Sequence, residues 1–387
     1  MYKNLNISLT PDQKRIHDAI IDFASSGQDT MTFGGFAGTG KTTTIGVTAQ
    51  TLKAGRYRLA FCALGGKAAN VLRGKLNGCL APDDYCGTIH KLIYDMKGKF
   101  KFKNSQREQL IFEMKEGASH EYDLIILDEA SMVNRRIFED LQSLGIKILA
   151  VGDHGQLPPI PDYRDQGDTF NLMESPDVRL EHILRQAEGN PIVEVSRIIR
   201  ETGGLPFGSW GNGQVVKTFD GSAIKGHDFK DPDSIVLCGR NDTRCRVNCY
   251  ARENMGRMSA IPVVDDRVIC LMNNYDKWIF NGDITHVASI DRIDGDDVYM
   301  TVNLYGRAIE VKAIKKQFYE KYTLSDHRET HDLFDYASAI TVHKFQGSEA
   351  KNVVVYDEPI GRSDEDRRRW RYTAVTRAKE RLLIIKK

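Results

Sequence analysis

The sequence predicts an α/β protein of two lobes, and three observations predict it. Four apolar runs in the first half are Met31–Phe33, Arg58–Ala63, Leu124–Leu127 and Ile146–Val151. Each is followed by a polar or glycine-rich turn and then a helical pattern, as buried parallel strands joined by crossover helices require. A second set begins at Ser234–Cys238 and resumes at Ala337–Ile340, Val353–Tyr356 and Arg381–Ile385. Between its pieces, Arg267 to Tyr322 alternates with a period near two, broken at Asn273–Asn274, Asn281–Gly282 and Asp294–Gly295. That pattern reads as a small antiparallel insertion with tight turns.

A chain of 387 residues exceeds one ordinary core, so two or three domains are expected. A hydrophobic fraction of 41%, a charged fraction of 28% and a net charge of +1 are those of a soluble globular protein. Net charge therefore says nothing about nucleic acid, but its distribution does. Residues 88–118 carry seven Lys and Arg against four acids, and residues 362–387 carry ten against four. The seven cysteines have no CxxC pairing or neighbouring histidines, which argues for reduced thiols and against zinc. No apolar run reaches the roughly 18–20 residues of a membrane span, and the polar start is no signal peptide. A cytoplasmic protein with no membrane attachment is expected.

The first apolar run leads into Gly35-Phe-Ala37-Gly38-Thr39-Gly40-Lys41-Thr42, which fits GxxxxGK[ST] and is followed by the helical pattern Thr43–Leu52. Glycines let the backbone close around phosphate with its N–H groups inward, and the helix N-terminus adds favourable partial charge. Lys41 suits the β- and γ-phosphates of ATP, and Thr42 suits Mg²⁺. The third run ends in Asp128-Glu129, which delivers two carboxylates to the carboxyl edge of the sheet. Asp128 suits the Mg²⁺ shell and Glu129 the attacking water. A DE pair alone is usually a solvated turn; with the P-loop it signals ATP hydrolysis. The fourth run ends in Gly152-Asp153-His-Gly-Gln156-Leu-Pro-Pro159, which places an amide near the same edge.

Gly-Asp-x-x-Gln-Leu-Pro-Pro resembles motif III of superfamily 1 helicases, and the flanking segments resemble the RecD/Dda-like branch of superfamily 1B over most of the chain. Leu9-Thr-Pro-Asp-Gln13 is similar to that family's Q motif, Leu180-Glu-His-Ile-Leu-Arg185-Gln to motif IV, Thr341-Val-His343-Lys344-Phe-Gln346-Gly347-Ser-Glu349 to motif V, and Tyr372-Thr-Ala-Val-Thr-Arg377 to motif VI. The resemblance implies two RecA-like P-loop NTPase domains with ATP in the cleft between them. It implies that Gln13 reads adenine, that Arg185 and Arg377 act as arginine fingers, that Gln156 senses the γ-phosphate, and that Gly347 and Glu349 lie at the nucleotide, Glu349 on the ribose.

The nucleic-acid side follows from the same resemblance. Thr88 and His90 match motif Ib, and His343 and Lys344 lie in motif V; all four are expected to hold the backbone of a single strand. At motif Ia the chain departs from the family, reading Ala63-Leu-Gly65-Gly66-Lys67-Ala-Ala69 where Pro-Thr is usual. The phosphate-gripping threonine is absent, and the N–H groups of Gly65 and Gly66 or the Lys67 ammonium stand in its place.

The expected domains are residues 1–190, carrying a pin-like insertion at 91–120; residues 191–266 with 335–387; and an SH3-like accessory insertion at 267–334. In the pin, Phe100 and Phe102 alternate with lysines, a pattern that suits base stacking and equally suits a hairpin covering the domain beneath. Residues 364–371 read as a surface helix with internal ion pairs and Trp370 in the core.

The implied function is an ATP- and Mg²⁺-dependent DNA helicase, monomeric, moving 5′→3′ on single-stranded DNA and at single/double-strand junctions, with replication or recombination proteins as partners. An RNA helicase on the same scaffold and a P-loop protein loader stand as alternatives. Motifs Ia, Ib and V have no evident purpose in a loader.

Overall fold

A computed structural model of the chain describes residues 8–76, 78–101, 108–115, 121–159, 170–182, 189–274, 276–327 and 330–386, with the backbone alone over 96–101 and 108–112. These residues divide near Val193 into two units.

The first unit opens with α1 (Pro11–Ser25), whose start is set by a capping box: Gln13 N–H donates to Thr10 Oγ1, and Thr10 N–H donates to Gln13 Oε1. Ile16, Ile20 and Phe23 then fall on one buried face, at the spacing of an amphipathic helix. There follow β1 (Thr30–Gly35), α2 (Lys41–Ala54), β2 (Leu59–Ala63), α3 (Gly66–Lys75), β3 (Tyr85–Thr88), α4 (Ile89–Ile93), the two-stranded sheet of β4 (Tyr94–Lys101) and β5 (Glu108–Met114), β6 (Leu124–Leu127), α5 (Arg135–Gln142), β7 (Lys147–Gly152) and β8 (Val178–Leu180), after which most of α6 (Pro191–Thr202) belongs to the second unit.

Six of the strands form a parallel sheet in the order β3-β2-β6-β7-β1-β8. Alternate residues feed its two faces. Phe33, Phe61, Ile126 and Leu149 pack under α1, α2 and α3, while Ala60, Cys62, Ile125 and Ile148 pack with residues of α4 and α5. Burial on both faces explains why these strands read as continuous apolar runs.

The second unit contains β9 (Gly208–Trp210), β10 (Val215–Thr218), β11 (Ser234–Cys238), α7 (Asn241–Asn254), β12 (Arg267–Cys270), β13 (Ile284–Asp294), β14 (Asp297–Leu304), β15 (Arg307–Ile314), β16 (Phe334–Tyr336), β17 (Ala339–Thr341), β18 (Ala350–Tyr356), α8 (Asp364–Val375) and β19 (Ala378–Ile385). One sheet runs β17-β11-β18-β19-β10-β9, parallel except for the edge strand β9. A separate antiparallel sheet runs β15-β14-β13-β12-β16. Gly295 (φ 59°) turns β13 into β14. Tyr305 and Gly306, both at positive φ (54° and 74°), close the next hairpin in the manner of a type I′ turn that the sequence reading did not anticipate.

Trp370 is fully buried. On α8, Arg367, Arg368 and Arg369 pair with Asp364 and Glu365. Arg371 departs from the expected surface helix: it turns inward to Asp357, which also meets Lys217. All seven cysteines are unbridged. Among the described residues no helix is long and apolar enough to cross a membrane, and no His/Cys/Asp/Glu group is arranged to hold a metal.

Candidate nucleotide and nucleic-acid site

In a parallel sheet the ligand-bearing loops gather at the carboxyl ends of the strands. In the first unit β1 ends in the glycine loop, β2 leads to Gly65–Lys67, β3 ends at Thr88, β6 delivers Asp128 and Glu129, and β7 leads to Asp153 and Gln156. One edge therefore collects residues spread over more than a hundred positions of sequence.

The loop after β1 depends on glycine at defined points. Gly38 and Gly40 hold φ of 79° and 85°, which a side chain disfavours. A Cβ on Gly35 would lie 2.8 Å from Thr39 Oγ1 and 2.9 Å from Lys41 Cγ, so the cradle closes if this glycine is replaced. Thr39 is buried and donates its hydroxyl to Phe36 O at 2.8 Å, fixing the turn. The Lys41 ammonium donates to the carbonyls of Gly35 (2.5 Å) and Phe36 (3.2 Å), so it lies along the loop it serves. The α2 N-terminus has no side-chain cap, leaving its first N–H groups to face the loop. Phe36 packs against His154 with ring centroids 4.1 Å apart, joining the glycine loop to the turn after β7.

Thr42 and Asp128 line one small pocket with Ile45, Leu72, Ile126 and Val151, which brings the two expected Mg²⁺ ligands together. Glu129 follows at φ 52°, a left-handed conformation rare outside glycine, and so turns sharply away from the strand. Gln156 is buried, its amide nitrogen donating to Asp153 Oδ2 at 3.4 Å while its Oε1 has no hydrogen-bond partner among the described residues. Gln13 presents the complementary case. Its Oε1 accepts from the helix cap and its buried Nε2 has no partner among the described residues. The amide nitrogen of Gln13 is thus open to a base, while its Oε1 already accepts one bond from the cap.

These orphaned amide atoms, the glycine cradle and the shared Thr42/Asp128 pocket fit a nucleoside triphosphate with its divalent cation. Ser131 Oγ, also buried and unpartnered, belongs to the same edge. Sequence reasoning missed it, although it stands only three residues after Asp128. The Phe36–His154 contact was missed too, because neither residue carries a motif role.

On the nucleic-acid side, Gly65 caps α3 without a side chain and precedes Gly66 and Lys67 in its first turn, so backbone N–H groups are presented there. Thr88 Oγ1 accepts from Lys91 N–H at 3.3 Å as the cap of α4, which leaves the hydroxyl proton to donate elsewhere. His90 lies beside Tyr94 with its pKa lowered by burial, partly offset by Asp140, which favours the neutral ring.

In the second unit, Gly347 (φ 70°), Glu349 and Arg377 meet at the amino ends of β18 and β19, where Ala350 N–H donates to Arg377 O. Arg377 is buried, with its guanidinium donating to Thr373 O (3.0 Å), Ser348 O (3.3 Å) and Thr376 Oγ1 (3.3 Å). Glu349 pairs with Lys379 at 2.8 Å. His343 and Lys344 follow β17 at the carboxyl edge. Desolvation lowers the pKa of both; for Lys344 the charge of Arg244 adds to this and Asp335 opposes it. Arg185, Phe102 and the side chain of Phe100 lie outside the described residues.

The family model described as an AAA domain matches residues 8–205, just over half of the chain, and a UvrD-like helicase C-terminal domain matches 336–385. The chain is 26% identical over 412 residues to the ATP-dependent RecD2 DNA helicase of Deinococcus radiodurans, covering 98% of this chain and 49% of that protein. The chain belongs to the superfamily 1B helicases of the RecD/Pif1 type. It spans about half the length of that curated relative.

Solved structures of this family share the fold. A structure concerned with unwinding at forked double-stranded DNA by two coordinating Pif1 helicases gives a TM-score of 0.58 at 18% identity, covering 98% of this chain and 92% of that one. A Bacteroides Pif1 helicase in complex with ADP-AlF3 and single-stranded DNA gives 0.56 at 19% identity with the same coverage. The two parallel sheets are accordingly two RecA-like domains.

Proposed function

We propose that the chain is an ATP- and Mg²⁺-dependent DNA helicase that translocates 5′→3′ on single-stranded DNA and opens duplex at single/double-strand junctions. The observation that carries the reading is the carboxyl edge of the first sheet, where the glycine cradle, the Thr42/Asp128 pocket and the loops of Gly65–Lys67 and Thr88 lie side by side. Chemistry at the P-loop and grip on a strand would share one rigid sheet.

In this reading the N–H groups of Gly38, Gly40 and the α2 N-terminus hold the phosphates, with Ala37, Thr39 and Thr43 shaping the loop around them. Lys41 leaves the carbonyls of Gly35 and Phe36 for the β- and γ-oxygens. Thr42 and Asp128 would hold Mg²⁺, which when bound neutralises charge on those oxygens. Glu129, turned out of the strand, orients water and takes its proton. The Gln13 amide nitrogen reads the base, and Gln156 couples its Oε1 to the third phosphate. Arg377, and from motif IV Arg185, are proposed to stabilise transition-state charge, with Gly347 and Glu349 beside the nucleotide.

We assign Gly65, Gly66, Lys67, Thr88, His90, His343 and Lys344 to the strand backbone, the pin-like insertion at 91–120 with Phe100 and Phe102 to strand separation, and the antiparallel insertion at 267–334 to an SH3-like accessory role. Unwinding of duplexes bearing only a 5′ or only a 3′ tail tests the proposal. The expected result is opening of the 5′-tailed substrate with hydrolysable ATP and Mg²⁺ alone; opening of the 3′-tailed substrate would reverse the polarity.

A further inference from the structure

We infer that Tyr85 is a positioning residue for single-strand binding, a brace that fixes the segment carrying Thr88. The inference deepens the proposed function and rests on it.

Thr88 ends β3, and β3 has the features of a weak strand. It lies at the edge of its sheet, paired with β2, and is four residues long with a glycine inside it. A glycine within a strand loses more conformational freedom on ordering than any other residue and offers no side chain to pack. A residue that holds a phosphate while a strand moves past it needs a firmer seat than that. Two side chains supply it. The Tyr85 hydroxyl donates to the Thr88 carbonyl at 2.7 Å, and Arg73, in the last turn of α3, donates to the Cys86 carbonyl. Arg73 thereby ties β3 to the helix whose first turn carries Gly66 and Lys67.

The glycine is what admits the tyrosine. Residues two apart face the same side of a strand, so Tyr85 and Gly87 are neighbours on one face. A Cβ on Gly87 would lie 2.5 Å from Tyr85 Oη and 2.7 Å from its Cζ, so any side chain there would displace the phenol. Tyr122 meets the ring with centroids 6.3 Å apart, and burial pushes the phenol pKa up, which keeps the hydroxyl a donor. The Thr88 carbonyl is thus held by Tyr85 while its Oγ1 accepts from Lys91 N–H. Together the two bonds set the direction in which the threonine hydroxyl can donate to a phosphate.

The test measures binding of a labelled single-stranded DNA oligonucleotide by fluorescence anisotropy, for the full chain and for Tyr85→Phe, Thr88→Ala and the double variant. Tyr85→Phe keeps the ring over Gly87 and removes only the bond to the carbonyl. It should weaken binding by about 2- to 10-fold, the range for one neutral hydrogen bond. In the Thr88→Ala background the same change should have no further effect, because the hydroxyl it positions is gone. In strand-stimulated ATP hydrolysis, Tyr85→Phe should raise the DNA concentration for half-maximal stimulation by the same factor and leave the maximal stimulated rate in place. Gly87→Ala, which evicts the phenol, should weaken binding at least as much. Unchanged binding by Tyr85→Phe, or an equal loss with and without the Thr88 hydroxyl, overturns the brace and leaves the motor reading intact. If the wild-type chain binds no single strand, the proposed function falls and the brace with it.

Discussion

The two parallel sheets share an architecture but leave their polar groups in different states. At the carboxyl edge of the first, the buried amides of Gln13 and Gln156 and the hydroxyl of Ser131 each keep an atom without a hydrogen-bond partner among the described residues. There too, Lys41 donates to its own loop. In the second, Arg377 donates to three acceptors, Glu349 is paired with Lys379, and Lys217 and Arg371 converge on Asp357, while Trp370 Nε1 on α8, outside the motif residues, has no hydrogen-bond partner among the described residues. Unsatisfied buried polar atoms cost free energy, and they concentrate where a ligand supplies the missing partner. The contrast lies at the motif residues: those of the first sheet keep open polar atoms around the glycine loop and the acidic turn, and Arg377 and Glu349 of the second are held by their own neighbours.

If the contrast is right, removing a charge from each sheet should do different things. Lys41→Ala should lower steady-state ATP turnover by about a hundred- to a thousandfold, the range for loss of one preorganised transition-state donor, with the melting temperature unchanged. Asp357→Ala should act in the opposite column. It leaves Lys217 without its buried counter-ion and should destabilise the fold by about 3–5 kcal/mol in urea unfolding, the usual cost of breaking such a pair. Gly35→Ala inserts a methyl group against Thr39 and Lys41 and should raise the dissociation constant for ATP about tenfold in titration calorimetry. The smallest effect sharpens the comparison most. Gln13→Glu retains an acceptor for the Thr10 N–H and removes the orphan nitrogen, so preference for ATP over GTP should fall a few-fold, by about 1 kcal/mol or less, without a change in melting temperature.

Much of the first lobe was legible because a doubly covered parallel sheet writes itself as apolar runs, and because GxxxxGK[ST] demands a strand before it and a helix after it. The capping box of Thr10 and Gln13 was legible too, as the Thr-Pro-Asp-Gln pattern of a helix start, yet it was read only as a base-binding motif. Other elements were hidden by composition. In β3 the run Tyr85–Thr88 contains a glycine, and in β8 the run Val178–Leu180 is three residues with an arginine in the middle. Lys217 disguised β10, since a lysine in a short strand reads as surface until Asp357 and the Leu205 carbonyl are seen around it. Tyr85 carried no motif at all. Its bond to the Thr88 carbonyl across Gly87 exists only in three dimensions, and no spacing in the sequence announces it.

The central claim is that the nucleotide site and the strand-holding loops of one sheet act together, and stimulation of ATP hydrolysis by nucleic acid tests it most directly. Turnover should be measured with no nucleic acid, with single-stranded DNA, and with a single-stranded RNA of matched sequence. The account predicts that DNA accelerates hydrolysis well above the basal rate and does so more than RNA. Equal or greater stimulation by RNA would contradict the DNA assignment, and no stimulation by either strand would contradict the coupling itself and favour a protein loader.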